Sequence, residues 1–150
     1  MVETICICGA GTMGSGITQV AALAGYNTIQ YDISGVMLQK SRDAISANLD
    51  RMAGKQKITD AQAKTLPGSI RFTSHLSDCR ADLFIEAIVE ISDAKAELFN
   101  SLMAFNDPGA IFATNTSSLP VTGIQEKTIR PIGGAPAALR GRRASRPSAR

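Results

Sequence analysis

The stretch "GAGTMG", residues 9–14, limits the possible folds of this chain more than any other part of the sequence. It sets Gly9, Gly11 and Gly14 in a GxGxxG spacing between the apolar run "TICIC" and the helical pattern "TMGSGITQVAALAG". In a strand–turn–helix unit, the first glycine allows the tight turn, the second lets a pyrophosphate approach the backbone, and the third lets the helix pack against the sheet. The spacing therefore predicts a β-α-β unit that binds a dinucleotide.

A carboxylate follows the second predicted strand of this unit. Asp32 ends the run "NTIQYD", 23 residues after Gly9. A carboxylate there accepts hydrogen bonds from both hydroxyls of an adenosine ribose and repels a 2′-phosphate, so NAD is favoured over NADP. A glycine turn beside a solvated aspartate is the alternative. The predicted cofactor-binding residues of this half of the site are Gly9, Gly11, Thr12, Met13, Gly14 and Asp32.

Short apolar runs alternate with helical patterns along the chain, which is typical of a parallel sheet with crossover helices. The predicted strands are "TICICG", "NTIQYD", "IRFT", "ADLFIEAIV" and "AIFAT". A helix is predicted over residues 92–105, with an inward face made of Ala94, Leu98, Leu102 and Phe105. The segment "KQKITDAQAKTLPGS" is expected to be irregular. Right-handed crossovers then give an α/β fold, a doubly wound parallel sheet of the Rossmann type with strand order 3-2-1-4-5.

Two further motifs indicate which dinucleotide-binding family this is. The stretch "DLFIEAIVE" is followed by Lys95 and Phe99, and "ATNTSSL" comes after the fifth predicted strand. Together with "GAGTMGSGI", these motifs resemble the N-terminal NAD-binding domain of the 3-hydroxyacyl-CoA dehydrogenases, including 3-hydroxybutyryl-CoA dehydrogenases, up to Arg130. The resemblance implies NAD-dependent oxidation of an L-3-hydroxyacyl-CoA to the 3-ketoacyl-CoA in fatty acid metabolism, with an acyl-CoA as the substrate.

The resemblance also implies roles for individual residues. Glu90 and Lys95 match residues that contact the cofactor near its nicotinamide end. Asn115 and Ser117 match the pair at the reacting centre, where the serine hydrogen-bonds the 3-oxygen of the substrate and the asparagine positions the nicotinamide. Both pairs follow predicted strands, at the edge of the sheet where doubly wound folds bind ligands. As alternatives, Glu90 could simply cap the next helix, and Asn115–Ser118 could be a plain turn.

Two lysines after the second predicted helix match a different part of the family's site. The resemblance implies that Lys55 and Lys57 contact the coenzyme A moiety of the substrate. Lysines on exposed loops are usually just solvated, which is the alternative here.

The general base that this reaction needs has no counterpart in the sequence. The resemblance implies a histidine, oriented by a glutamate, in a His-Phe-Phe-Asn-Pro stretch beyond "NTSS". The chain has "PIGGAPAALRGRRASRPSAR" there, without histidine. Its one histidine, His75, follows the third predicted strand and is expected to be an exposed loop residue on the adenine side of the sheet. Turnover by this chain is therefore doubtful.

The last twenty residues differ in composition from the rest of the chain. Residues 131–150 contain five arginines and no acidic residue, whereas residues 1–130 contain 11 Lys and Arg against 13 Asp and Glu. We expect an NAD-binding domain over 1–130 and an irregular basic tail over 131–150, a possible frameshift product. The sheet would then be incomplete, with an unpaired edge on its fifth strand. The family's helical C-terminal domain is expected to be absent, and a homodimer is expected only with that domain.

Two other interpretations of the tail remain open. In the first, the chain is a non-catalytic nucleotide-binding module whose basic tail binds a protein partner. In the second, a separate polypeptide completes the site. Binding of nucleic acid is not expected, because no aromatic residue accompanies the tail arginines.

The remaining features point to an intracellular protein. Three cysteines, an odd number, do not make a disulfide framework. Cys6 and Cys8 alternate along a strand, which predicts small buried side chains rather than metal ligands. Neither a signal peptide nor a membrane span is recognisable, so we expect no membrane association and a location in the cytoplasm, or in an organelle matrix.

Overall fold

The computed structural model describes residues 1–134, which form a parallel sheet flanked by helices. The strands are β1 (Thr4–Cys8), β2 (Asn27–Tyr31), β3 (Ile70–Thr73), β4 (Leu83–Glu86), β5 (Ile111–Thr114) and β6 (Gly133–Gly134). The helices are α1 (Thr12–Leu23), α2 (Gly35–Gly54), α3 (Asp60–Ser69), α4 (Ser92–Met103) and α5 (Val121–Gln125). The strand order is β3-β2-β1-β4-β5-β6. The predicted α/β fold and the order 3-2-1-4-5 are confirmed.

The central strand β1 is buried because both faces of the sheet are covered. It pairs in parallel with β2 and β4, so that Cys6 lies beside Ile29 on one side and Phe84 on the other. Apolar side chains on both faces are typical of the inner strands of parallel sheets. Cys6 and Cys8 are fully buried in one core cluster with Cys79, which confirms that they are core residues.

The largest part of the core lies between the sheet and α4. The rings of Phe84 and Phe112 stack with centroids 4.8 Å apart, and Phe99 of α4 meets Phe112 edge-on at 5.9 Å. The inward face of α4 differs from the predicted one. Leu102 is buried as expected, and Leu98 and Phe105 are half-buried and pack against the core. Ala94 is half-buried outside this cluster, and the buried face includes Ala96 and Phe99 instead.

The segment before β3 is a helix and not irregular as expected. Thr59 Oγ1 accepts a hydrogen bond from Gln62 N at 3.1 Å, and Gln62 Oε1 accepts one from Thr59 N at 2.9 Å. This reciprocal capping box starts α3. Pro67 lies in the final turn of the helix, where a lost backbone donor disturbs few hydrogen bonds.

The edge of β5 is paired, so the expectation of an unpaired edge was wrong. The two-residue strand β6 pairs in parallel with Ala113 and Thr114, and Ile132 just before it is buried in the core. Residues 131–134 therefore continue the domain instead of forming part of an irregular tail. All five arginines of the predicted tail lie in residues 135–150, outside the described residues.

Within residues 1–134, no helix combines the length and the apolar character needed to cross a membrane.

Candidate functional site

The three glycines of the loop after β1 have different structural requirements. Gly9 has a φ of +117°, and a Cβ there would overlap the carbonyl oxygen of Ala87. A Cβ on Gly14 would overlap the carbonyl group of Gly9, lying 2.8 Å from its carbon. A Cβ on Gly11, by contrast, would meet no atom of the described residues within 4 Å. Packing within the protein thus explains the first and third glycines, whereas the space at Gly11 is open.

The N-terminus of α1 faces the same space. Gly11 is its N-cap residue and provides no side-chain cap, and the first turn contains no acidic residue. The first backbone N–H groups of a helix have no partner within the helix, and they lie at the positive end of its dipole. This helix end therefore fits a phosphate or pyrophosphate group.

A buried glutamine of β2 holds the glycine loop through a hydrogen bond. Gln30 of β2 is fully buried, and its Nε2 donates to the carbonyl oxygen of Gly9 at 3.1 Å. Ser41 of α2 donates its hydroxyl to Gln30 Oε1 at 2.7 Å. Sequence reasoning missed both residues, although a glutamine between Ile29 and Tyr31 in a predicted strand was a recognisable signal.

Asp32 is held at the end of β2 by two backbone hydrogen bonds. Its Oδ2 accepts from Ala10 N and its Oδ1 accepts from Ser34 N, each at 2.8 Å. An ionised carboxylate has about four acceptor positions, so each oxygen keeps one for a ribose hydroxyl. The carboxylate is thus already placed beside the glycine loop, as the sequence predicted.

A cleft of about 660 Å³ opens between the glycine loop and the loop that follows β4. This volume lies within the usual range for small-molecule and cofactor sites. Asp32 and the glycine loop form one side of it, and the lining of the other side is mainly apolar, including Ala87, Ile88, Val89 and Leu98. A mainly apolar cleft with the Asp32 carboxylate beside the N-terminal N–H groups of α1 suits an adenosine diphosphate moiety.

Glu90 connects the loop after β4 with the loop after β5. Its Oε2 accepts a hydrogen bond from Thr116 Oγ1 at 2.7 Å, and its Oε1 lies 3.4 Å from Lys95 Nζ. The Thr116 hydroxyl lowers the pKa of Glu90, and the positive charge of Lys95 lowers it further. Glu90 is therefore a carboxylate at neutral pH. Sequence reasoning missed Thr116, although it lies in the quoted run "TNTSS".

Lys95 is not positioned as we expected for a residue that contacts the cofactor. Its side chain is fully buried, and Nζ lies 2.6 Å from Glu86 Oε1 in a buried ion pair. In this structure the lysine faces Glu86 and Glu90 instead of open space in the cleft. A direct contact with a cofactor stays a prediction.

Asn115 and Ser117 lie at the same edge of the sheet as Glu90. Asn115 N donates to the carbonyl oxygen of Glu86 at 2.8 Å, which continues the pairing of β5 with β4. Ser117 is exposed, one residue beyond the threonine that binds Glu90. The structure therefore brings these three predicted residues together, and their chemical roles stay predictions.

Three other residues lie away from the cleft. Lys55 is the C-cap residue of α2 and Lys57 follows it in the turn before α3, and both are exposed. His75 is exposed just after β3, at the opposite edge of the sheet from β5. The structure thus confirms the expected position of His75 and separates it from Ser117. The proposed contact of the two lysines with coenzyme A stays a prediction.

Residues 1–134 contain no group of three or more His, Cys, Asp or Glu side chains arranged to hold a metal ion.

Known proteins share both the sequence and the fold of this chain. The family profile described as "3-hydroxyacyl-CoA dehydrogenase, NAD binding domain" matches residues 4–133. The chain is 40% identical over 126 residues to a probable 3-hydroxybutyryl-CoA dehydrogenase of Deinococcus radiodurans, covering 83% of this chain and 45% of that protein. It is 38% identical over 137 residues to the mitochondrial hydroxyacyl-coenzyme A dehydrogenase of Rattus norvegicus, covering 87% and 44%.

A solved structure gives the same result for the fold. The (S)-3-hydroxybutyryl-CoA dehydrogenase from Ralstonia eutropha superposes with a TM-score of 0.82 at 34% identity, covering 87% of this chain and 46% of that one. The chain spans about half the length of the curated relatives it matches.

Proposed function

The chain belongs to the family of the 3-hydroxyacyl-CoA dehydrogenase NAD-binding domain, and from this we propose that residues 1–134 bind NAD(H) for the oxidation of L-3-hydroxyacyl-CoA to 3-ketoacyl-CoA. One observation supports this proposal above the others. Asp32 Oδ2 accepts a hydrogen bond from Ala10 N beside the open space at Gly11. The carboxylate that would accept the ribose hydroxyls therefore adjoins the space that would hold the pyrophosphate. An acyl-CoA substrate and a cytoplasmic location are parts of the same proposal.

Each residue of the site has a task in this proposal. Asp32 accepts the hydroxyls of the adenosine ribose, and the N-terminal N–H groups of α1 bind the pyrophosphate. Glu90 and Asn115 position the nicotinamide, and Ser117 donates a hydrogen bond to the 3-oxygen of the substrate. NAD, when bound, supplies the acceptor for the hydride that leaves C3.

The proton of the 3-hydroxyl group needs a base from elsewhere. General-base catalysis is most often performed by histidine, and the base must lie within hydrogen-bond reach of the proton that it removes. His75 follows β3, whereas Ser117 follows β5, and the three strands β2, β1 and β4 lie between β3 and β5 in the sheet. We therefore propose that residues 1–134 bind the cofactor without catalysing turnover alone.

Calorimetric titration with NAD⁺ and NADH, combined with an assay of acetoacetyl-CoA-dependent NADH oxidation on the same sample, tests this proposal. We expect binding of both cofactor forms and no turnover. Absence of binding would refute the proposal, and turnover would indicate a base within the chain, with His75→Ala as the variant to assay next. A chain ending after residue 134 should bind NAD⁺ as the full chain does, whereas a partner-binding tail predicts loss of partner binding on this deletion.

The choice between NAD⁺ and NADP⁺ gives a second prediction. The Asp32 carboxylate repels a 2′-phosphate, so we expect the Kd for NADP⁺ to exceed that for NAD⁺ by at least about tenfold, or ~1.4 kcal/mol. Asp32→Ser should reduce this ratio, whereas Asp60→Ser at the exposed start of α3 should leave it unchanged. Competition binding with the two cofactors measures the ratio, and equal affinities in the parent chain would contradict the role given to Asp32.

A further inference from the structure

Glu86, the last residue of β4, is a buried carboxylate to which the proposed function gives no task. Its side chain and that of Lys95 are fully buried, and Lys95 Nζ lies 2.6 Å from Glu86 Oε1. The same oxygen accepts a hydrogen bond from Ile88 N at 2.7 Å. The other oxygen, Oε2, accepts one from Thr114 Oγ1 at 2.6 Å. Glu86 thereby connects β4 with the loop that follows it, with α4 and with β5.

Stability alone is a poor explanation for such a network. Burying two charges carries a large desolvation penalty, and apolar side chains of similar volume often stabilise a core as well or better. The adjoining core consists of apolar side chains, including the rings of Phe84, Phe99 and Phe112. The network is therefore better explained by what it positions.

One thing that it positions is the loop of residues 87–90. Three residues of this loop line the cleft, namely Ala87, Ile88 and Val89. The carbonyl group of Ala87 packs so closely on Gly9 that no Cβ fits there. Because Glu86 holds the loop through the Ile88 N–H group, its carboxylate fixes the wall of the cleft opposite Asp32.

The other thing that it positions is Glu90. Lys95 Nζ, held by Glu86, lies 3.4 Å from Glu90 Oε1. The side chain of Glu90 is 47% exposed, so it is accessible to a ligand, whereas Glu86 is not. The buried pair thus sets the location of an accessible carboxylate.

We infer that Glu86 is a positioning residue for the nicotinamide end of the NAD site, which it orders through Lys95 and Glu90. This inference rests on the proposed function, because it assumes that NAD occupies the cleft. Glu86 touches neither cofactor nor substrate, and it acts only through the residues that it holds.

Two substitutions of nearly unchanged shape, Glu86→Gln and Thr114→Val, test the inference in the full chain. Neither side chain reaches the surface, so neither change removes a direct contact with a ligand. Calorimetry gives the Kd for NAD⁺ and for AMP, which lacks the nicotinamide half, and thermal unfolding is followed in parallel. We expect the Kd for NAD⁺ to rise about tenfold in Glu86→Gln and about threefold in Thr114→Val. The Kd for AMP should stay within about twofold of the parent, because the side-chain amide oxygen at this position in the first variant and Glu86 Oε1 in the second still accept the hydrogen bond from Ile88 N that holds the adenosine side of the cleft.

Thr28→Val is the matched control. Thr28 is also a buried threonine, at 3% exposure on β2, but its hydroxyl donates to the carbonyl oxygen of Tyr26. Both Kd values should be unchanged in this variant. Should Glu86→Gln fail to fold because Lys95 loses its buried charge partner, Thr114→Val decides the question, since it keeps both charges.

The possible outcomes separate this inference from the proposed function. Equal weakening of NAD⁺ and AMP binding would overturn the inference, because a merely structural role affects the whole cleft. NAD⁺ binding by the variants at the parent's Kd would overturn it as well. A parent chain that binds no NAD⁺ would instead refute the proposed function.

Discussion

Replacing Gly14 with alanine is expected to destabilise the fold by about 3 kcal/mol or more, the range of severe overpacking in a rigid environment. The added Cβ would overlap the carbonyl group of Gly9, which is backbone and cannot rotate away as a side chain would. Gly9 O also accepts a hydrogen bond from the buried Gln30 side chain, so moving it breaks a second contact. Urea unfolding of the purified variant measures the loss in the free energy of unfolding.

Gly16→Ala is the matched control for this prediction. Gly16 lies in the same helix, is exposed, and would place its Cβ in open space. Because alanine favours the helix interior over glycine, this variant should be more stable than the parent by about 0.5–1 kcal/mol. Equal unfolding midpoints for the two variants would mean that the close contact between α1 and the glycine loop is absent in solution.

The sequence predicted the parts of the molecule that depend on local pattern. The loop with Gly9, Gly11 and Gly14 lies between a strand and a helix, and Asp32 directly follows the next strand, so spacing along the chain alone places them. Strand order followed from the handedness of the crossovers, which is the same in nearly all such folds. The same local reasoning would have found α3, had the Thr59-x-x-Gln62 pattern been taken as a capping box.

The buried network could not be predicted in this way. A lysine is almost never fully buried unless it is paired, and the partner of Lys95 lies nine residues earlier on another element. Thr114 comes from a third element, 28 residues away from Glu86. The face of α4 that packs on the sheet includes Lys95 beside Ala96 and Phe99, whereas Ala94 and Leu98 are only half-buried.

The sixth strand was missed for a different reason. Two glycines have a low preference for strands, and "GG" gives no hydrophobic pattern. Its pairing with β5 follows from the burial of Ile132 just before it, which anchors the backbone of Gly133 beside Ala113. Such an anchor is a tertiary contact and is not visible in a window of sequence.

Gly11→Ala is expected to abolish most of the NAD affinity while leaving the fold intact. A Cβ at this position meets no protein atom within 4 Å among the described residues, and the backbone there has a φ of −73°, which alanine adopts readily. The same Cβ would occupy the space in which a pyrophosphate approaches the N-terminus of α1. We therefore expect the Kd for NAD⁺ to rise by about 100-fold or more, equivalent to ~2.7 kcal/mol.

The stability of the Gly11→Ala variant distinguishes this explanation from simple unfolding. Glycine is a better N-cap residue than alanine, so the free energy of unfolding should fall by less than about 1 kcal/mol. Calorimetry with NAD⁺ and urea unfolding on the same preparation measure both quantities, and Gly16→Ala should bind NAD⁺ as the parent does. If Gly11→Ala bound NAD⁺ at the parent's Kd, the pyrophosphate could not lie at this helix end. The assignment of the cleft to NAD would then have to be abandoned, even with Asp32 in place.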